Sequence, residues 1–287
     1  MKRYLVPYDG SALSKAALKY AILFSKCVSG AIDICYIADE RALANPIFDL
    51  TVMALQVIGT LGDLITREKV KLELKAKLIS RGEDILEEIK KWPELAGDSQ
   101  FNYTTRVEVA NPPIYLSKVS ENYDIIFMGL WGEMRDFKAG LWGGTSEAVI
   151  RNGKSHTLLA TADFKPISEI VVGFDNRPRA RQALAWAGMI GESMRIPVNV
   201  VVCGTDPDFT DKIVSEAQVI APSYDTGFSY FTMKIHAAEG ILSVSGEKPG
   251  ALICMGAFGD QPLREFFLGS VAEEVLRRSD GPVMLFK

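Results

Sequence analysis

Short apolar runs rich in β-branched residues recur along the chain, and helically spaced apolar positions fall between them. In the first half the strand-like runs are Arg3–Tyr8, Ala31–Ile37, Asn102–Val109, Asp124–Met128 and Thr157–Ala160. Helical patterns at Ser14–Ser25, Ile114–Ser120 and Thr145–Arg151 separate them, together with a longer charged stretch. The second half repeats the strands at Glu169–Phe174, Val198–Cys203, Ser229–His236, Ala251–Met255 and Pro282–Phe286. Strands alternating with helices predict parallel βαβ units, because parallel neighbours need a crossover between them. Runs such as Ile170–Phe174 and Val198–Val202 carry apolar side chains on both faces, which predicts a sheet covered by helices on each side. The expected fold class is therefore α/β: two repeated doubly wound domains, each a five-stranded parallel sheet flanked by helices.

The halves align residue by residue. An offset of 166 lays Tyr4–Asp9 over Ile170–Asp175, Ala17-Leu18 over Ala183-Leu184, and Ala31–Ile37 over Pro197–Cys203. Near the end of each half the offset is 127, placing Met128–Gly132 on Met255–Gly259, and then 126, placing Glu147–Arg151 on Glu273–Arg277. The polar, proline-ended segment Thr161–Pro166 is the expected linker, giving domains at 1–162 and 167–287. The change of offset puts an insertion at about 39–96 of the first domain. Within it Val70, Leu74, Lys77 and Leu78, then Ile85 and Ile89, recur at amphipathic helical spacing. Gly59, Gly62 and Gly82 are expected to bend or interrupt that helix. Covering its own sheet and acting as a dimerisation arm are both open to it.

Composition narrows the function. Nearly half the 287 residues are hydrophobic, about a quarter are charged, and the net charge of −4 offers no concentrated basic face for nucleic acid. The chain enters its first strand without an apolar leader, and its longest apolar-leaning stretch, Leu50 to Gly62, is too short to span a bilayer. Cys27, Cys35, Cys203 and Cys254 lack any CxxC spacing and sit in apolar runs, so they read as reduced structural thiols of a cytoplasmic protein. His156 and His236 fall at a pre-strand position and on a third strand, away from the expected site loops. No catalytic residue and no metal-ligand cluster is assigned.

The candidate chemistry lies at the carboxyl ends of the strands, where open parallel sheets bind ligands. In the second half the loop after the fourth strand reads Gly256-x2-Gly259-x9-Gly269-Ser270 and runs into the helical Val271–Leu276. Glycines let a backbone approach a ligand closely, and free N–H groups at a helix start suit a phosphate. Ser270 is placed either to cap that helix or to donate its hydroxyl to a phosphate oxygen.

This loop resembles the ATP-binding signature of universal stress proteins, and Pro7-Tyr8-Asp9-Gly10-Ser11 resembles the opening of the same family. Outside the insertion the resemblance covers nearly the whole chain, twice. It implies a stress-response or signalling module that binds ATP with magnesium on the phosphate oxygens. Carried onto this sequence, Asp175 faces the ribose end, the backbone of Cys203 meets the adenine edge, and Gly256 passes close to the ribose. Backbone N–H groups of Gly259, Gly269, Ser270 and Val271 hold the phosphates. The resemblance also implies that the two domains pair about a pseudo-twofold axis, and it leaves a homodimer open.

The first half departs from the signature. Its weaker candidates are Asp9, Ile37, Gly129 and Gly132, but Gly143 and Gly144 stand where Gly-Ser is expected, after ten residues rather than nine. Trp131 and Trp142 flank the loop with bulky rings. ATP is therefore expected mainly in the second half, with hydrolysis at most slow. A nucleotide-free dimerisation protein and an adenine-nucleotide-using enzyme such as a nucleotidyl transferase are the alternatives.

Overall fold

The computed structural model describes residues 1–44, 63–95, 102–131, 144–246, 250–258 and 268–287. Ten strands are present among them: β1 (Lys2–Pro7), β2 (Gly30–Asp39), β3 (Tyr103–Ala110), β4 (Ile125–Gly129), β5 (His156–Ala160), β6 (Glu169–Gly173), β7 (Val198–Cys203), β8 (Phe228–Met233), β9 (Ala251–Gly256) and β10 (Val283–Phe286). The helices are α1 (Ala12–Val28), α2 (Asp63–Ile89), α3 (Pro112–Val119), α4 (Gly144–Asn152), α5 (Pro178–Met194), α6 (Pro207–Ile220), α7 (Ala237–Ser245) and α8 (Ser270–Arg278).

All ten strands belong to one sheet, in the order β3-β2-β1-β4-β5-β10-β9-β6-β7-β8. Each half contributes five parallel strands in the same relative order, with its first strand at the centre. Alternate strand residues feed two buried layers. Tyr4 and Val6 point to one face with Ile170 and Val172, while Leu5 and Val171 point to the other. The first layer is roofed by α1, α2, α5 and α6, the second by α3, α4, α7 and α8. Burial on both faces explains the unbroken apolar runs of the central strands.

The halves join through β5 and β10, which pair antiparallel with Val283 opposite Leu159, Met284 opposite Leu158 and Leu285 opposite Thr157. At the offset of 126, Leu158 and Met284 are equivalent residues, so each strand meets its counterpart at the same position and a local twofold passes between them. Helices α1 and α5 pack together across this junction. There Ser193 Oγ donates to the Cys27 carbonyl at 3.2 Å, and the Tyr20 hydroxyl meets both backbone polar atoms of Lys165.

Two expectations change. Gly82 does not interrupt α2, which runs continuously from Asp63 to Ile89. A Cβ at Gly82 would sit 2.4 Å from the Tyr36 ring of β2, so this glycine marks where the helix crosses the sheet closely. The carboxyl half of α2 covers the first half's own sheet through Leu86 and Ile89, whereas Leu72 near its start is exposed. Gly59 and Gly62 lie outside the described residues. His236 is not on a strand: β8 ends at Met233, and His236 precedes α7 with its Nδ1 3.5 Å from Glu274 Oε2. Cys27, Cys35, Cys203 and Cys254 are all free, and burial pushes the Cys35 thiol up to about 12.

Candidate functional site

The carboxyl ends of β6, β7 and β9 open on a cavity of about 670 Å³. It brings together Asp175, Cys203, Gly256, Gly269, Ser270 and Val271, six of the residues picked out in the second half. The seventh, Gly259, lies outside the described residues, as does Gly132 of the first half. Topology explains the convergence. Strand β6 pairs on one side with β7 and on the other with β9, so the order reverses around it and the loops diverge to leave a crevice.

Each wall has a local cause. After β6 the chain turns through Asn176 at φ 66°, a left-handed conformation that asparagine tolerates better than most residues. Asp175 Oδ1 accepts from the Arg177 backbone N–H at 3.1 Å, and its Oδ2 lies 3.2 Å from the Arg177 guanidinium. Pro178 then opens α5, where its missing N–H costs nothing. The opposite wall is the start of α8. Gly269 holds the N-cap position at φ −62°, ψ 142°, and its N–H donates to the Ala257 carbonyl at 3.1 Å, which fastens the loop's end to the end of β9. Ser270 is thus the first helical residue rather than the cap, and neither side chain closes the helix start. The opening N–H groups at Ser270 and Val271 have no partner within the helix and border the cavity, at the positive end of its dipole.

Cys203 closes the floor with Val201 and Ile241. Burial raises its thiol above the ordinary range, which keeps it protonated and leaves its role to shape and backbone. Gly256 brings the backbone close: a Cβ there would sit 3.3 Å from Arg179 Cβ. Two lining residues escaped the sequence reading. Arg179, in the first turn of α5, places its guanidinium 5.2 Å from the ring centre of Phe258, on the loop after β9. The repeat offsets carried a signal for both, since they align Arg179 with Leu13 and Phe258 with Trp131.

The first half repeats the frame with tighter contacts at the strand ends. Asp9 Oδ1 accepts from the Ser11 N–H at 3.0 Å, as Asp175 does from Arg177, and Gly10 takes the left-handed position at φ 85°. Ser11 Oγ caps α1 by accepting from the Ser14 N–H at 3.2 Å. At the end of β4, however, a Cβ on Gly129 would lie 2.7 Å from Leu13 Cβ and 2.8 Å from the Trp131 carbonyl oxygen. Ile85 of α2 closes over Gly10, 3.8 Å from where its Cβ would be. Ile37 ends half-buried on β2 with its side chain in the apolar layer. Asp9 and Gly129 therefore share one strand-end region, tightened by Leu13 and Ile85. Trp142 lies outside the described residues.

Neither histidine lines the cavity, although His156 Nδ1 accepts from the N–H of the lining residue Lys287 at 3.2 Å and His236 precedes the lining residue Ala237. His156 is wedged between Trp186 and Phe286 at the junction, where burial and then Lys2 lower its pKa to about 4. No group of three or more histidine, cysteine or carboxylate ligands occurs among the described residues, and none of their helices is long and apolar enough to cross a membrane.

Residues 232–287, which include the end of β9 and the start of α8, match the model of the universal stress protein family. Over the full length of both chains the sequence is 25% identical to Universal stress protein Slr1230 of Synechocystis sp.. Over 161 aligned positions, 55% of this chain and 93% of the other, it is 29% identical to Universal stress protein MJ0577 of Methanocaldococcus jannaschii. Its fold is like that of a universal stress protein from Archaeoglobus fulgidus DSM 4304, with a TM-score of 0.71, 23% identity, and coverage of 99% of this chain and 98% of that one. The repeated five-stranded halves, the glycine spacing ahead of α8 and these likenesses agree: the chain is similar to universal stress proteins, in sequence over residues 232–287 and along its full length, and in fold.

Proposed function

We propose that this protein is an ATP-binding stress-response or signalling module that holds its nucleotide in the second half. The observation that carries the reading is the cavity at the ends of β6, β7 and β9. Its volume of about 670 Å³ falls within the range of small-molecule sites, and it gathers Asp175, Cys203, Gly256, Gly269, Ser270 and Val271 on one surface. The base and ribose fit the apolar floor near Cys203 and the carboxylate of Asp175, while the start of α8 faces the phosphates. Magnesium, when bound, screens the charge of the phosphate oxygens. Asp175 is engaged with Arg177, so the ion's ligands come chiefly from the nucleotide and water.

The first half serves in this reading as a partner for the second. The antiparallel join of β5 to β10 supports an intramolecular pairing of units 1–162 and 167–287, with Leu13 and Ile85 narrowing the first site. The proton-accepting groups that line the cavity are engaged elsewhere, Asp175 by Arg177 and Lys287 Nζ by the carbonyls of Val149 and Gly153, which favours nucleotide occupancy over turnover as the signal. The experiment is direct. Nucleotide released by denaturing the purified protein is identified, and ATP is titrated calorimetrically into the emptied chain. Release of an adenine nucleotide, or saturable ATP binding, upholds the reading. No nucleotide and no binding in either form overturns it.

A further inference from the structure

Resting on that reading of the second cavity, we infer that Arg179 is its anion-selecting residue, which makes the site discriminate polyphosphorylated ligands from the bare nucleoside. Three arginines stand at alternate positions at the start of α5, and two are occupied. Arg177 pairs with Asp175 at 3.2 Å, and Arg181 pairs with Glu216 at 3.1 Å. Among the described residues no carboxylate lies within ion-pair distance of Arg179, whose partner is the face of Phe258. Both residues line the cavity.

Placement makes this arginine informative. Arg179 is the second residue of α5, at the positive end of the helix dipole, where a cation is disfavoured unless an anion joins it. The start of α8 presents a second positive helix end to the same cavity. Among the described residues Asp175 is the one acidic side chain in the lining, and Arg177 already pairs with it. The Arg179 guanidinium, the Lys287 amine, which donates to the neutral carbonyls of Val149 and Gly153, and two helix ends thus border one space, and an anion with several oxygens matches them. The Phe258 ring attracts the guanidinium charge but offers its N–H groups no oxygen acceptor, which leaves them to donate to phosphate oxygens. The first half supplies the contrast. Leu13 occupies the equivalent place and packs on Gly129, so that position is apolar where the cavity is narrowed.

The test uses the full chain, emptied of any nucleotide, titrated with adenosine, AMP, ADP, ATP and inorganic tripolyphosphate. The wild type is compared with Arg179→Leu, which installs the first half's residue, and with Arg179→Lys. Affinity should climb with phosphate number in the wild type. Arg179→Leu should weaken ATP and tripolyphosphate by about tenfold and adenosine by less than about twofold, with Arg179→Lys in between. The loss should shrink as salt is raised. Equal losses for adenosine and ATP, or no loss for ATP, would overturn the inference while leaving ATP binding intact. Binding of tripolyphosphate that depends on Arg179, without binding of any adenine compound, would sustain the anion site and overturn the ATP reading. Failure of every probe to bind the wild type refutes both. Melting curves of the variants confirm that each is folded, as expected for an exposed first-turn position.

Discussion

Replacing Ser270 by alanine separates two roles for one hydroxyl. From sequence, Ser270 could cap α8 or touch a phosphate, and each predicts a loss, but of different quantities. The structure places Gly269 at the cap and Ser270 at the first helical position, exposed and with no capping hydrogen bond. Removal of a true cap costs about 0.5–2 kcal/mol of stability. Here that term is absent, and alanine's better helix propensity gains up to about 0.5 kcal/mol. The melting curve of ligand-free Ser270→Ala should therefore coincide with the wild type or lie slightly above it. If the hydroxyl donates to a charged phosphate oxygen, its loss costs about 1.5 kcal/mol, close to tenfold in affinity. Differential scanning calorimetry without ligand and isothermal titration with ATP measure the two independently. A lowered melting temperature with unchanged ATP affinity would refute the geometry and restore Ser270 as a purely structural residue.

His156 titrates at about 4 when folded against an ordinary 6.5, so the unfolded chain binds the extra proton; its contribution is complete above pH 6.5 and disappears as pH falls toward 4. Linkage sets the loss between pH 7 and pH 5 at about 2 kcal/mol, visible as a fall in urea midpoint that His156→Gln should lack. Gly129→Ala should destabilise by about 1–3 kcal/mol, because the new methyl meets Leu13 and the Trp131 carbonyl below 3 Å, as urea denaturation would register. Gly256→Ala has a single tight contact, at 3.3 Å, and should cost less than Gly129→Ala in the same assay. Gly269→Val should remain folded, since φ −62°, ψ 142° suits a β-branched residue, while its side chain enters the cavity and blocks ATP in a calorimetric titration.

Periodicity exposed most of the fold, because burial on both faces writes the strands as continuous apolar runs. Val198–Cys203 has the bounds expected of it, and the other nine strands lie within a few residues of theirs. Alternation with helices then dictated parallel pairing. The pairing of β5 with β10 could not be read this way, since an apolar strand does not state which neighbour completes it. Gly82 misled for a physical reason: helix propensity marks glycine as a break, yet the approach of the Tyr36 ring requires the missing side chain. His236 looked like part of a strand because Ile235 extends the apolar pattern past Met233, where pairing with β7 ends at Cys203.

The candidate site was legible where it depends on backbone and hidden where it depends on distant side chains. Glycines and a helix start announce themselves by spacing, and Gly256, Gly269, Ser270 and Val271 do meet at one cavity. The cap shifted by one residue, from Ser270 to Gly269, because the bond from Gly269 N to Ala257 O decides where the helix begins. The Arg179–Phe258 contact joins residues 79 positions apart and becomes visible only when α5 and the β9 loop are brought together.

If only one of the two halves holds the nucleotide, the stoichiometry of ATP binding to the intact, emptied chain reveals it. The wild type should bind one ATP per chain, and Gly269→Val, folded by its melting curve, should bind none. Two equivalent sites per chain, or a single site undisturbed by Gly269→Val, would contradict the account.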